Sequence, residues 1–125
     1  MRVLVCGSRD WYDADAIRAE LIGLNIGSDD IIIHGDCRGA DRLAGMIGEE
    51  LGAEVQVYRA QWHVFGKSAG PRRNQAMLDE GKPDLVLAFH WDLAQSKGTK
   101  HMVGIARAAG VEVKVVGVEP ATVVV

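Results

Sequence analysis

The sequence predicts an α/β domain built on a doubly wound, mostly parallel five-stranded sheet with helices on both faces. Five short apolar runs alternate with four segments of helical periodicity. The runs are nearly continuous in Val, Ile and Leu, as in strands buried on both faces. Glycines and short polar loops punctuate the joints.

The first strand is Arg2 to Cys6, broken by Gly7-Ser8-Arg9-Asp10-Trp11. The first helix runs from about Asp13 to Leu24, with Ile17, Leu21 and Leu24 on one face and Asp13 or Asp15 as its cap. Ile31-Ile32-Ile33-His34 forms the second strand, and Gly35 to Asp41 leads into the second helix. That helix extends to about Leu51, with Leu43, Ile47 and Leu51 on one face, and Gly52 stops it. The third strand is Glu54 to Tyr58, and Arg59 to Gly70 reads as a long loop. Pro71 suits the first turn of the third helix, which ends near Gly81. Asp84 to Phe89 is the fourth strand, His90 to Lys97 a loop, and about Gly98 to Ala109 the fourth helix, ended by Gly110. Glu112 to Gly117 is the fifth strand. Residues 1–118 read as one domain. Residues 119–125, with Pro120 and Val123 to Val125, form a tail suited to an extra edge strand or a partner surface.

Right-handed crossovers leave few topologies, and the strand order 3-2-1-4-5 is expected. In this Rossmann-like winding a ligand sits outside the C-terminal ends of the strands, between strands one and four, where the order reverses.

The 125 residues suit one domain, and 48% hydrophobic with 25% charged residues favours a packed core over disorder. No apolar run approaches the roughly 20 residues of a membrane span. Arg2 to Cys6 is too short, and too soon followed by charge, for a signal peptide. Cys6 and Cys37 have no framework spacing and read as reduced thiols, so a cytoplasmic location is expected. The net charge of −3 argues against a general nucleic-acid binder.

That average hides an asymmetry. The segments after strands one to four, residues 7–12, 34–42, 59–74 and 90–101, hold all three tryptophans, all four histidines and nine of the 14 basic residues. With four acids they balance at +5, against −8 for the rest. On one edge of the sheet they form a positive, aromatic-rich mouth on an acidic body, which suits an anionic ligand with a stackable base.

Four motifs supply candidates. Gly7-Ser8-Arg9 follows the first strand directly, where Gly7 permits close approach and Ser8 and Arg9 can hold phosphate; the alternative is an ordinary turn with a solvated arginine. It is not the GxGxxG pattern of a standard NAD site. Gly35-Asp36-Cys37-Arg38-Gly39-Ala40-Asp41 offers backbone amides for a phosphate or ribose, Asp36 for ribose hydroxyls or a water, and Arg38 for charge; Asp41 either joins the site or only favours the helix dipole. Gly70-Pro71-Arg72-Arg73-Asn74 opens a helix with paired arginines, a phosphate clamp or a solvated basic turn, with Arg73 and Asn74 preferred. Ser96-Lys97-Gly98-Thr99 opens another, where Ser96, Gly98 and Thr99 cap the helix or bind phosphate; its spacing is not that of a P-loop. Trp11 is placed with the ligand residues as a candidate for stacking on a base. No paired metal-ligand signature is present, and neither a metal nor a cofactor is expected.

Together Gly7-Ser8-Arg9-Asp10-Trp11, His34 to Asp41 and Gly70 to Met77 resemble the YspA/YpsA-related branch of the SLOG superfamily, over residues 1 to about 118. The resemblance implies a Rossmann-like fold and binding of a nucleotide or nucleotide-derived signal. It also implies kinship with the LOG phosphoribohydrolases and with the DNA-processing protein DprA. Relatives of this kind often associate, so a homodimer or higher homo-oligomer is a candidate assembly. The phosphoribohydrolase arginine that precedes a methionine helix resembles Arg73, and their phosphate-binding turn resembles Gly98-Thr99. Their catalytic glutamate falls at Met102, which cannot carry a proton, and the adjacent His101 points about 100° away on a helix.

The expectation is therefore a binding or sensing domain, with phosphate among Gly7, Ser8, Arg9, Gly98 and Thr99, ribose near Asp36 and Arg38, and Arg73 supplying charge. The rival is an enzyme cleaving a nucleotide N-glycosidic bond, with Asp36 or Asp41 as nucleophile or base and Arg73 stabilising developing charge. Single-stranded nucleic-acid binding along the basic aromatic edge ranks third.

Overall fold

The computed structural model describes residues 1–117. Five strands, β1 (Arg2–Gly7), β2 (Ile31–His34), β3 (Glu54–Val57), β4 (Leu85–Phe89) and β5 (Glu112–Val116), form one sheet. The order is β3-β2-β1-β4-β5, and each neighbouring pair is parallel. The expected order is the observed one. Five α-helices connect the strands: α1 (Ala14–Gly23), α2 (Ala40–Glu50), α3 (Trp62–Phe65), α4 (Ala69–Asp79) and α5 (Gly98–Ala108).

Side chains alternate across a strand, so β1 sends Val3 and Val5 to one face of the sheet and Leu4 and Cys6 to the other. On the first face they meet Ile17 and Leu21 of α1 and Ile47 of α2. On the second they meet Met77 of α4 and Met102 and Val103 of α5. Every residue of β4 is buried, as a central parallel strand requires. Each fully buried side chain of the size of Leu4, Ile17 or Phe89 stabilises the fold by about 1.5–3 kcal/mol.

Local chemistry sets the helix starts. The Asp13 carboxylate accepts the Ala16 N–H at 3.1 Å and caps α1. Pro71 lies in the first turn of α4, where a missing N–H costs nothing. Ser96 caps α5 by accepting the N–H groups of Thr99 and Lys100 at 3.0 and 3.4 Å.

Two expected loops contain structure. The Arg59 to Gly70 segment holds α3 and a 3₁₀ turn, Gly66–Ser68, before α4 begins at Ala69. Trp62 to Phe65 has no glycine or proline to prevent one helical turn, and Gly66, at φ 57°, ends it. The His90 to Lys97 loop holds a 3₁₀ turn, Leu93–Gln95, which buries Leu93. The other boundaries fall within about two residues of expectation. The tail at 119–125 lies outside the described residues. Among the described residues, no helix is long and apolar enough to cross a membrane.

Candidate functional site

A cavity of about 750 Å³ opens beyond the C-terminal ends of β1 and β4, the place where the strand order reverses. Gly7, Ser8 and Arg9 line it from the β1 turn, Asp41 from α2, Trp62 from α3, Arg73 and Asn74 from α4, and Ser96, Gly98 and Thr99 from the start of α5.

The Arg73 guanidinium is anchored on two sides. Nε donates to the Asn74 side-chain oxygen at 2.9 Å, and Nη1 donates to the Gly35 carbonyl at 2.6 Å. Nη2 has no partner among the described residues. Asn74 is itself buried, and its amide donates to the Gly98 carbonyl at 3.3 Å and lies 3.1 Å from His101 Nδ1. One asparagine thus ties the arginine, α4 and α5 together.

At the start of α5, Ser96 occupies the N–H groups of Thr99 and Lys100. The amides of Lys97 and Gly98 keep no partner among the described residues, and the positive end of the helix dipole lies here. Ser8 is fixed by its backbone: its N–H donates to the Phe89 carbonyl at 2.8 Å, and its own carbonyl accepts Trp11 and Ala40 at 3.2 Å each. Its hydroxyl oxygen accepts the Asp10 N–H at 3.0 Å, which leaves the hydroxyl proton available.

Asp41 is only 5% exposed. One carboxyl oxygen accepts the N–H groups of Gly35 and Cys37 at 3.0 and 3.3 Å. Burial pushes this carboxyl up to about 6, against the pull of those amides and of Arg73. Burial also raises the Cys6 thiol far above its usual range, so it is inert packing, and both cysteines are free. Burial lowers His34, whose Nδ1 accepts the Asp36 N–H at 3.0 Å.

A second cleft, of about 390 Å³, adjoins the cavity and shares Arg9, Cys37, Trp62 and Arg73 with it. Its own walls include Gly35, Asp36, Arg38, Arg42 and Arg59.

The structure separates the candidates. Gly7, Ser8, Arg9, Asp41, Arg73, Asn74, Ser96, Gly98 and Thr99 share the cavity. Asp36 does not: its carboxylate accepts Arg42 Nε at 3.3 Å and Arg59 Nε at 3.0 Å. Burial pushes Asp36 up, but the two guanidiniums outweigh it and hold the carboxyl below its usual range. Arg38 also lies in the second cleft, exposed and 3.5 Å from Asp10. Gly39 lines neither space; at φ 79° it lets the start of α2 pass against the backbone of Ser8 and Arg9.

Trp11 is not a stacking surface for a ligand. It is 3% exposed, stacked on Trp91 at 4.0 Å and tilted against Phe89 at 5.5 Å, with Nε1 donating to the Asp13 carbonyl. The tryptophan at the cavity is Trp62, 49% exposed. Nothing in the residues beside it, Ala60-Gln61 and His63-Val64-Phe65, distinguishes it from Trp11 as the tryptophan left outside the core.

Comparison with known proteins agrees with this fold. The YspA, cpYpsA-related SLOG family matches residues 1–65, which carry Gly7-Ser8-Arg9 and the 34–41 segment. The gene 61 protein of Mycobacterium phage D29 is 38% identical over 128 residues, covering 95% of this chain and 98% of its own length. The X-ray structure of DNA processing protein A (DprA) from Streptococcus pneumoniae superposes with a TM-score of 0.74 at 18% identity, over 98% of this chain. The chain spans 51% of that protein, and at such identity the likeness speaks for the fold alone. With about half its length matched by the family, and nearly all of it by the phage relative, this chain belongs to the YspA, cpYpsA-related SLOG family.

Proposed function

We propose that the main cavity binds a phosphate-bearing nucleotide or a nucleotide-derived ligand, as a binding or sensing site. The observation that carries the reading is the pairing, in one cavity at the strand-order reversal, of the anchored Arg73 guanidinium with the unpaired amides at the start of α5. A phosphate there meets Arg73, the Ser8 hydroxyl and the Lys97 and Gly98 amides. Trp62 offers a face to the base. Native mass spectrometry of the purified chain, with and without a nucleotide mixture, tests this. A retained nucleotide mass that disappears in Arg73→Ala supports the site. No retained mass with any nucleotide refutes it.

A second reading has one observation in its favour: Asp41, on the cavity wall, holds a proton up to about pH 6. A carboxyl of that kind suits hydrolysis of an N-glycosidic bond. Water adds to the anomeric carbon, the base leaves with the bonding electrons and gains a proton, and ribose phosphate remains. Met102, fully buried and the residue that the resemblance sets against the phosphoribohydrolase glutamate, supplies no proton carrier. Release of free base and ribose phosphate from an added mononucleotide, abolished in Asp41→Asn, selects this reading; intact nucleotide after long incubation rejects it.

The structural relative is named a DNA processing protein, which weighs against dismissing nucleic acid as a partner on net charge alone. Oligonucleotides therefore belong in the binding trials beside mononucleotides.

A further inference from the structure

We propose that the cleft beside the main cavity is a second phosphate subsite, so that the ligand is a dinucleotide: two nucleotide units joined through phosphate. The inference rests on the nucleotide reading of the main cavity and extends it.

Asp36 organises this cleft. Its backbone stands at φ 59°, in the left-handed region that Asp, Asn and Gly enter more readily than other residues. Its N–H is held by His34 Nδ1 at 3.0 Å, and its carboxylate is held between Arg42 and Arg59. Both arginines use Nε for that contact, so their terminal Nη groups have no partner among the described residues. One carboxylate thus orients two guanidiniums and neutralises only one. Exposed ion pairs add little stability, so stability does not account for the doubled cation. Two oriented guanidiniums match the oxygens of a phosphate, each able to bind in a bidentate fashion.

The second observation is continuity. Arg9, Cys37, Trp62 and Arg73 line both spaces, so a ligand seated in the main cavity passes Arg73 and enters the cleft. The main cavity alone falls within the roughly 300–1,000 Å³ of a complete small-ligand pocket. The cleft is additional space whose lining holds five arginines and one carboxylate.

The test is calorimetric titration of the purified chain with AMP and with 5′-phosphorylated diadenylate. The unaltered chain binds the dinucleotide about tenfold or more tightly than AMP. In Arg42→Ala/Arg59→Ala that ratio falls to about one, with thermal melting confirming a folded protein. Arg59→Lys keeps the charge but not the fork, and gives an intermediate ratio. Asp36→Asn adds net positive charge: the ratio falls if Asp36 positions the arginines and rises if it only neutralises them, so a rise overturns the positioning role. Equal affinities for AMP and the dinucleotide in the unaltered chain, or an unchanged ratio in the double variant, overturn the subsite and leave the main-cavity reading standing. No binding of either compound overturns the dinucleotide inference, and the main-cavity reading falls with it only if the nucleotide mixture also leaves no retained mass. A ten-nucleotide 5′-phosphorylated strand separates the two sources of such a ligand. Tighter binding than the dinucleotide assigns the site to a strand end, equal binding to a free dinucleotide, and each supports the subsite provided the arginine variants remove the gain.

Discussion

Replacing Asp41 with asparagine and following stability against pH isolates the most unusual group on the cavity wall. In the folded chain the carboxyl keeps its proton up to about 6; unfolded, it returns to its ordinary 3.8. Between these values the unfolded chain has released the proton and the folded chain has not. The unfolded state binds fewer protons there, so stability falls as pH rises through this window. The full loss is about 3 kcal/mol, at about 1.4 kcal/mol per decade, complete above about pH 6. The asparagine side chain keeps an oxygen for the Gly35 and Cys37 amides and cannot ionise. Urea denaturation of both proteins, followed by tryptophan fluorescence from pH 3 to 7, gives two curves, and contributions from other titrating groups cancel in their difference. The difference, wild type minus variant, should drop by about 3 kcal/mol as pH rises and then level off. A flat or rising difference means that the two amides and Arg73 outweigh burial. Asp41 is then an ordinary carboxylate, and its role as a proton carrier falls with it.

Three further outcomes are expected. In Gly35→Ala the new methyl would stand 2.5 Å from Arg73 Nη1 and 2.8 Å from Cζ, so the guanidinium must move; nucleotide affinity by calorimetry should fall about tenfold while the circular dichroism spectrum is retained. Trp11→Ala should cost about 3–5 kcal/mol in chemical denaturation, as loss of a buried aromatic does, and a binding defect without that cost would return Trp11 to the site. Asn74→Ala removes the acceptor for Arg73 and the donor to Gly98; a loss of about 1–3 kcal/mol is expected, and its effect on binding should be less than additive with Arg73→Ala, because both act through one guanidinium.

The sheet was legible because parallel strands buried on both faces write themselves as unbroken apolar runs such as Ile31-Ile32-Ile33, and glycines mark the joints. The cavity walls were legible for a related reason: parallel strands deliver all their following turns to one edge. What stayed hidden depends on contacts distant in the chain. Asp36 meets Arg59 across 23 residues, and no local pattern distinguishes that pairing from a carboxylate awaiting ribose. Trp11 and Trp62 carry the same side chain in similar polar contexts. Only packing against Phe89 and Trp91, from the far end of β4 and its loop, sends the first inside. The single turn of α3 has too few residues to show a period at all.

The uneven distribution of charge bears on how a partner arrives. The segments that follow β1 to β4 sum to +5 and the rest of the sequence to −8, so positive charge is concentrated toward the C-terminal edge of the sheet. A small anion tumbling nearby is turned toward the opening before contact, over a range of about 8 Å at physiological ionic strength. A long polyanion faces a stricter geometry, because any stretch lying along the flanks of the protein is repelled by them. A free end presented head-on avoids most of that penalty, so charge placement alone favours short or terminal anions over continuous strands at this edge.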